Sequence, residues 1–366
     1  MPRSDSNAAD ANSLARKNAA QQYGQAERGR GPHPLPLFWQ LVHAEVKDDA
    51  ARRARVMAAV RRYQDAPRAA PMPPPDVVAE DGGTRLLSYG GGEGRAVVFI
   101  PSLVNPPDIL DLDEERSMMR WFAARGRRVY LIDWGTPAAA ERAYDLADYV
   151  LRIERLLAGL GRPVVAGYCL GGTLAMAVAA RGGAAALATI AAPWDFSGYT
   201  DERRDGLAAF WQRTKPIAVP LGSVPMNMLQ PAFWSLDPGA PVRKFEHYAA
   251  MAADDAEARR FEAMEDWANG GAPLTLPALA DTFEGLFGGN KTGHGEWRIC
   301  DVPVTQDAIK VPWVNFISST DRIVPAAAAP RSPDDRHVAC GHVGMVAGSR
   351  ARPLLWEPLD QWIRSL

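Results

Sequence analysis

From Val77 onward, short apolar runs bounded by Gly, Pro or Asp recur along the chain. They are Arg95–Pro101 (RAVVFIP), Arg128–Asp133 (RVYLID), Pro163–Gly167 (PVVAG), Ala186–Ala191 (ALATIA) and Val311–Ser318 (VPWVNFIS). Their apolar residues are consecutive, not alternating, which predicts strands buried on both faces. Between them stand segments with helical spacing, such as the Ala-rich Thr173–Arg181. Strand and helix in alternation predict an α/β domain: a mostly parallel sheet with helices on both faces. The alternation breaks between Asp195 and about Arg298, a stretch rich in Trp, Pro and Met that reads as helical without a clear strand. An insertion of that size predicts a helical lid over a site.

The pattern before Val77 is different. Residues 1 to about 31 are polar and poor in large apolar groups, so they are expected to form a disordered tail. A transit peptide is the sharper alternative there, and Asp5, Asp10 and Glu27 count against it. Residues 34–46 (PLPLFWQLVHAEV) are apolar with helical spacing. Asp48 or Asp49 offers an N-cap for a second helix ending near Gln64, with Val56, Met57 and Val60 on one stripe. Five prolines in residues 67–75 (PRAAPMPPP) predict a semi-rigid linker. The expected division is a tail at 1–31, a helical extension with linker at 32–76, and a catalytic domain at 77–366 carrying a lid at about 195–298.

Composition narrows the function classes. The 41 basic and 43 acidic residues are interspersed, with a formal net charge of -2, so nucleic-acid binding has no electrostatic support. A local patch could still meet anionic CoA. The three cysteines, Cys169, Cys300 and Cys340, form no disulfide framework and no CxxC pair. Neither a signal peptide nor an apolar run of about 18 residues is found, so no transmembrane segment is expected and a cytoplasmic location is the default.

The sharpest chemical signal is Gly167-Tyr168-Cys169-Leu170-Gly171-Gly172, directly after one predicted strand and before a helix. That context suits a nucleophile elbow, in which the residues two before and two after the nucleophile must be small. The turn would aim the Leu170 N–H at a developing oxyanion, and the helix N-terminus would favour a thiolate at Cys169. The bland reading is a buried Cys in a Gly-rich turn. The rest of the constellation weighs against it. In the α/β-hydrolase fold the chain order is nucleophile, acid, base. Asp321 follows the predicted strand 311–318, and His342 follows a short strand expected over Arg336–Cys340. Asp195, after ALATIAAPWD, remains an alternative acid. Asp334 and Asp335 read as solvated, His337 as structural, and Cys300 and Cys340 as small core residues. The backbone N–H of Val104, in the loop after RAVVFIP, is the expected second oxyanion donor.

These residues resemble the catalytic subunit of poly(3-hydroxyalkanoate) synthases, most nearly the short class III type. The likeness runs from about residue 85 to the C-terminus. It includes PSLVN with ILDLDEERS (Ile109–Ser117), VYLIDWGTP (Val129–Pro137) and the GYCLGG box. It continues through MEDWANG (Met264–Gly270), DRIVP (Asp321–Pro325) and GHVGMVAGSR (Gly341–Arg350). The resemblance implies triad roles for Cys169, Asp321 and His342. It also implies an (R)-3-hydroxyacyl-CoA substrate polymerised to polyhydroxyalkanoate through an acyl-Cys intermediate, with release of CoA. The implied partners are a growing polyester chain and a homodimer or second synthase subunit, at a polyester granule surface. Two departures stand out. Pro106, Pro107 and Asp108 replace the family's basic and aromatic residues after Asn105, and Arg322 replaces a His after the acid. They bear on substrate anchoring and leave the triad intact.

Other readings of the same residues are a same-fold polyester depolymerase or acyl-CoA thioesterase, a dienelactone hydrolase, which shares the GYCLGG box but lacks the long insertion, and a non-catalytic granule-associated scaffold. No metal and no bound organic cofactor is expected, CoA thioester being substrate. Trp211, Phe233, Trp234, Trp267, Leu286 and Phe287 could line a dry tunnel under the lid or form the insertion's own core.

Overall fold

The computed structural model describes residues 30–252 and 254–366. The expected tail falls on residues 1–29, outside the described residues. The chain separates into two compact units. One combines the N-terminal residues through Arg68 with Gly239–Asn269, and the other holds Ala69–Pro238 and Gly270–Leu366.

The first unit contains the two expected N-terminal helices, Leu35–Val46 and Ala50–Asp65, with Asp49 capping the second by accepting from the Arg52 N–H at 2.7 Å. Their apolar residues meet the helices Ala240–Ala250 and Ala256–Asn269. Phe245 lies 5.3 Å from Phe38 and 5.8 Å from Tyr63, ring to ring. Arg52 pairs with Glu246 and Arg68 with Asp266. This revises the expected boundaries. The stretch read as one lid, Asp195–Arg298, is divided, because the apolar face of Gly239–Asn269 is buried against the N-terminal helices.

The second unit is built on an eight-stranded sheet. Its strands are β1 (Asp76–Asp81), β2 (Thr84–Ser88), β3 (Val97–Ile100), β4 (Val129–Asp133), β5 (Val164–Tyr168), β6 (Ala186–Ile190), β7 (Trp313–Ser318) and β8 (Asp334–Val338). The order is β1-β2-β4-β3-β5-β6-β7-β8. Only β2 runs against its neighbours. Strands β3 to β7 are buried throughout, as their unbroken apolar runs require.

The order reverses at β3, which pairs with β4 on one side and β5 on the other. Right-handed crossovers in opposite directions place their helices on opposite faces. Helix Met118–Ala124, between β3 and β4, shares its face with the C-terminal segment, where Trp121 packs 5.8 Å from Trp356. Helices Leu146–Leu157 and Leu170–Ala180 lie against each other on the other face. A crevice at the carboxyl ends of the strands, next to such a reversal, is where open α/β sheets place their sites.

The insertion within this unit contains helices Asp201–Leu221 and Met226–Trp234. It is not free of strands, since Ser223–Val224 pairs antiparallel with Leu274–Thr275. Trp211 stacks on Phe283 at 5.1 Å and donates to Glu284 Oε1 at 2.6 Å, and Leu286 is fully buried. Those two are buried in the insertion's own core, whereas Trp267 belongs to the other unit. No helix among the described residues is long and apolar enough to cross a membrane.

Candidate active site

Cys169 stands between the last residue of β5 and the first of helix Leu170–Ala180, at φ 54° and ψ -130°. A side chain held at positive φ stores roughly 1–2 kcal/mol of strain, which the surrounding packing must hold in place. The glycines of the box explain how the turn closes. A Cβ at Gly167 would lie 2.5 Å from Gly171 O, and one at Gly171 would lie 2.2 Å from Ile100 O. Hydrogen bonds from Cys169 N to Ile190 O (2.9 Å) and from Gly172 N to Cys169 O (2.8 Å) fix the backbone. The thiol is partly exposed beyond the carboxyl ends of the strands.

Asp321 follows β7 after Ser319 and Thr320. Its Oδ1 accepts from the N–H groups of Ile323 (2.7 Å) and Val324 (2.9 Å). Its Oδ2 lies 2.5 Å from His342 Nδ1. A carboxylate only accepts, so Nδ1 carries a proton and donates a hydrogen bond to Asp321. The Cys169 side chain acts electrostatically on the imidazole. His342 is buried and opens the short helix His342–Ala347. The Tyr168 ring packs 5.0 Å from the imidazole, and its hydroxyl donates to His342 O at 3.4 Å. Burial opposes the imidazolium, but the charge of Cys169 and the hydrogen bond to Asp321 outweigh it, and the pKa is pushed up to about 10.

The expected oxyanion donors are the N–H groups of Leu170 and Val104. Leu170 is buried and begins the helix. The Val104 N–H donates to Ser102 Oγ at a long 3.3 Å. The loop carrying it is pinned by Trp134 Nε1, which donates to Pro101 O (3.2 Å) and Ser102 O (3.1 Å).

The competing residues have other partners. Asp195 accepts from Ser197 Oγ (2.6 Å) and Asn290 Nδ2 (2.9 Å), which fixes a turn at the start of the insertion. Asp334 pairs with Arg336, and Asp335 accepts from Ser332. His337 is exposed. Cys300 is not the core residue expected: it is exposed, in the tight turn between Arg298–Ile299 and Val302–Pro303. Cys340 is half-buried. Arg322, beside the acid, forms a 2.8 Å ion pair with Asp237, which follows the insertion helix Met226–Trp234.

One residue at the site escaped the sequence reading: Tyr168, which packs on the imidazole. Its signal was its place next to Cys169. Among the described residues, no group of three or more His, Cys, Asp or Glu is placed to hold a metal ion.

A mostly parallel eight-stranded sheet with a strained strand-to-helix turn after β5 defines the alpha/beta hydrolase class. The model of the alpha/beta hydrolase family matches residues 97–354, and the chain belongs to that family. Its relatives narrow the class. It is 26% identical over 360 residues to the poly(3-hydroxyalkanoate) polymerase subunit PhaC of Haloarcula marismortui, covering 90% of this chain and 76% of that one. The like-named subunit of Haloferax mediterranei is 27% identical over 316 residues, 79% of this chain and 63% of that one. That of Allochromatium vinosum is 25% identical over 297 residues, covering 75% and 82%.

Proposed function

We propose that the chain is a Cys-dependent acyltransferase that polymerises (R)-3-hydroxyacyl-CoA into polyhydroxyalkanoate and releases CoA. The observation that carries this reading is a thiol at a strained strand-to-helix turn, within electrostatic reach of a His342 that Asp321 holds, in a chain whose curated relatives are polymerase subunits.

In the first half-reaction the Cys169 thiolate attacks the thioester carbonyl. The new bond joins the Cys169 sulfur to the acyl carbon, the bond between that carbon and the CoA sulfur breaks, and the leaving CoA thiolate takes the proton of the His342 imidazolium. One thioester replaces another, so the exchange is close to balanced in free energy. The Leu170 N–H and the Val104 N–H, whose bond to Ser102 is weak enough to exchange, receive the oxyanion.

Acylation then changes the base. The charge on Cys169 is the largest influence raising the His342 pKa, and it vanishes once the sulfur is acylated. His342 therefore becomes a neutral acceptor when a base is needed. Its Nε2 takes the proton of the 3-hydroxyl of a chain end, the alkoxide oxygen attacks the acyl carbon, and the ester forms as the C–S bond breaks. Asp321 holds the ring and stabilises its charged form. The reaction needs no cofactor beyond the CoA thioester. The reading carries with it a cytoplasmic location at a granule surface and a homodimer or second subunit as partner.

The test is incubation of the purified protein with 3-hydroxybutyryl-CoA, following CoA release with a thiol reagent, turbidity and free acid. Turbidity with CoA release is the expected result. CoA release with free acid and no turbidity would make the chain a thioesterase, and no release at all would reject both.

A further inference from the structure

Tyr168 is the last residue of β5 and stands directly before Cys169. Its backbone is fixed in the sheet, where it pairs in parallel register with Ile190 of β6. The next residue is held as well, since the Cys169 N–H donates to Ile190 O at 2.9 Å. The Tyr168 side chain is buried, and so is that of His342. Their rings lie 5.0 Å apart, centre to centre, at 34° to one another, so the phenol ring covers one face of the imidazole. The hydroxyl donates to His342 O at 3.4 Å, a long and therefore weak bond. Burial holds the phenol pKa well above its ordinary range, which keeps the hydroxyl a neutral donor.

Asp321 and Tyr168 restrain different motions of the imidazole. The Asp321 bond is made at the ring edge, at Nδ1, and opposes a swing of that edge. It resists a tilt of the ring out of its own plane only weakly, because one hydrogen bond tolerates a range of angles. A second ring packed on the face blocks that tilt. The electron-rich face of a phenol also attracts a cation within about 6 Å of its centre, so the contact favours the imidazolium. The chain adds a further constraint. Tyr168 and Cys169 are consecutive, so a shift at the end of β5 moves both together, and the ring contact carries His342 along with them.

We infer that Tyr168 is a positioning residue: its ring face sets the tilt at which the His342 imidazole serves Cys169, and its hydroxyl adds less. The inference rests on the acyltransfer reading above, in which His342 is the base. Were the ring only filler, an apolar side chain of similar volume would replace it at little cost to the chemistry.

The experiment compares Tyr168→Phe, which keeps the ring, with Tyr168→Met, which keeps apolar volume without a ring, in the full-length protein carrying Cys300→Ser. Three quantities are read: kcat and KM for CoA release from 3-hydroxybutyryl-CoA, the pH profile of Cys169 alkylation by iodoacetamide, and the free energy of unfolding in denaturant. Alkylation is followed on the peptide that contains Cys169, so that Cys340 is counted separately. Tyr168→Phe should stay within about fivefold of the parent in kcat, having lost one weak hydrogen bond. Tyr168→Met should lose about ten- to hundredfold in kcat with KM little changed, as a misplaced base does. Its alkylation midpoint should move up by about one pH unit toward that of an ordinary thiol, with the same rate at high pH. A folded Tyr168→Met protein with the parent's kcat and alkylation profile would overturn the inference. So would a Tyr168→Phe protein as impaired as Tyr168→Met, or a loss in Tyr168→Met that follows its unfolding free energy while the alkylation profile stays put. If Tyr168→Met does not fold, Tyr168→Leu is judged by the same measurements. A parent Cys169 that already titrates as an ordinary thiol would also overturn it, since His342 would not act on the sulfur. Should the parent turn over no thioester, the acyltransfer reading fails, and the alkylation profiles still decide whether Tyr168 acts through His342.

Discussion

Two buried ionic clusters lie in the sheet-bearing unit, and they are built on opposite principles. In one, Arg152 on helix Leu146–Leu157 pairs with Glu141 and Asp81 and donates to Thr84 Oγ1 at 3.1 Å. Glu141 also accepts from Gly83 N (3.0 Å) and Ala138 N (2.7 Å). Every partner there is a permanent part of the chain. In the other, His342 has one permanent partner, Asp321, and one that chemistry would consume, Cys169. The first cluster joins the β1–β2 turn to a helix on unstrained backbone, save for Gly82 at φ 57°, where a Cβ would meet Glu141 Oε1. The second sits beside a non-glycine residue held at positive φ. The comparison separates buried charge that stabilises a fold from buried charge that is available for reaction. In the second kind, one member is reachable, strained and able to change its own charge.

The contrast would break if both clusters proved structural. The largest expected effect is at the thiol. Cys169→Ala should reduce CoA release by about a thousandfold or more while leaving the unfolding free energy within about 1 kcal/mol. A turnover near wild type would place the chemistry elsewhere. Glu141→Gln should do the reverse. Removing one partner of a buried pair costs about 3 kcal/mol or more of stability, read by denaturant unfolding, with turnover per folded molecule unchanged. A large loss of turnover in folded Glu141→Gln protein would erase the distinction.

Asp321→Asn sharpens the second cluster. It should slow acylation and transfer by about a hundredfold, with a smaller effect on alkylation of Cys169 by iodoacetamide. That labelling is best read in a Cys300→Ser background, since Cys300 is exposed and will also react. If Asp195→Asn were the damaging substitution and Asp321→Asn mild, Asp195 would be the acid.

The smallest effect is in the pH dependence of stability, and there the two clusters should fail at opposite ends. Burial disfavours the Glu141 charge, but the Ala138 and Gly83 amides and Arg152 outweigh it and hold the carboxyl below its usual range. Its contribution is full above the ordinary value of about 4.3 and is lost as pH falls through the folded value. The His342 pKa is raised to about 10, so its contribution is full below about 6.5 and is lost as pH rises through about 10. The melting-temperature gap between wild type and Glu141→Gln should close in acid. The gap for His342→Gln should close in alkali, and in a Cys169→Ala background it should close at lower pH. A His342→Gln gap that stays constant to about pH 11 would contradict the charged pair.

Much of the second cluster was legible along the chain. Unbroken apolar runs placed β3 to β7 within a residue or two. The elbow could be read because Gly167 and Gly171 admit only hydrogen at Cα, a local steric demand that leaves its mark in local sequence. Asp321 and His342 were singled out because each follows a strand, and the structure brings the two together. The first cluster was not legible, since a lone Arg on a helix and a Glu in a loop look like solvated surface. Nor was the exposure of Cys300, which turns on a tight reversal at positive φ.

The sequence by itself determined the sheet, the strained turn and the strand ends on which Cys169, Asp321 and His342 stand, because each depends on the shape and polarity of residues close together in the chain. Tertiary structure alone decided that Gly239–Asn269 packs with the N-terminal helices and that Arg152 is buried on Glu141. An amphipathic helix specifies that its apolar face must be covered but not by what, and an arginine side chain can reach several neighbours. Such choices rest on long-range packing, where the apolar pattern is degenerate and only the assembled chain selects one partner.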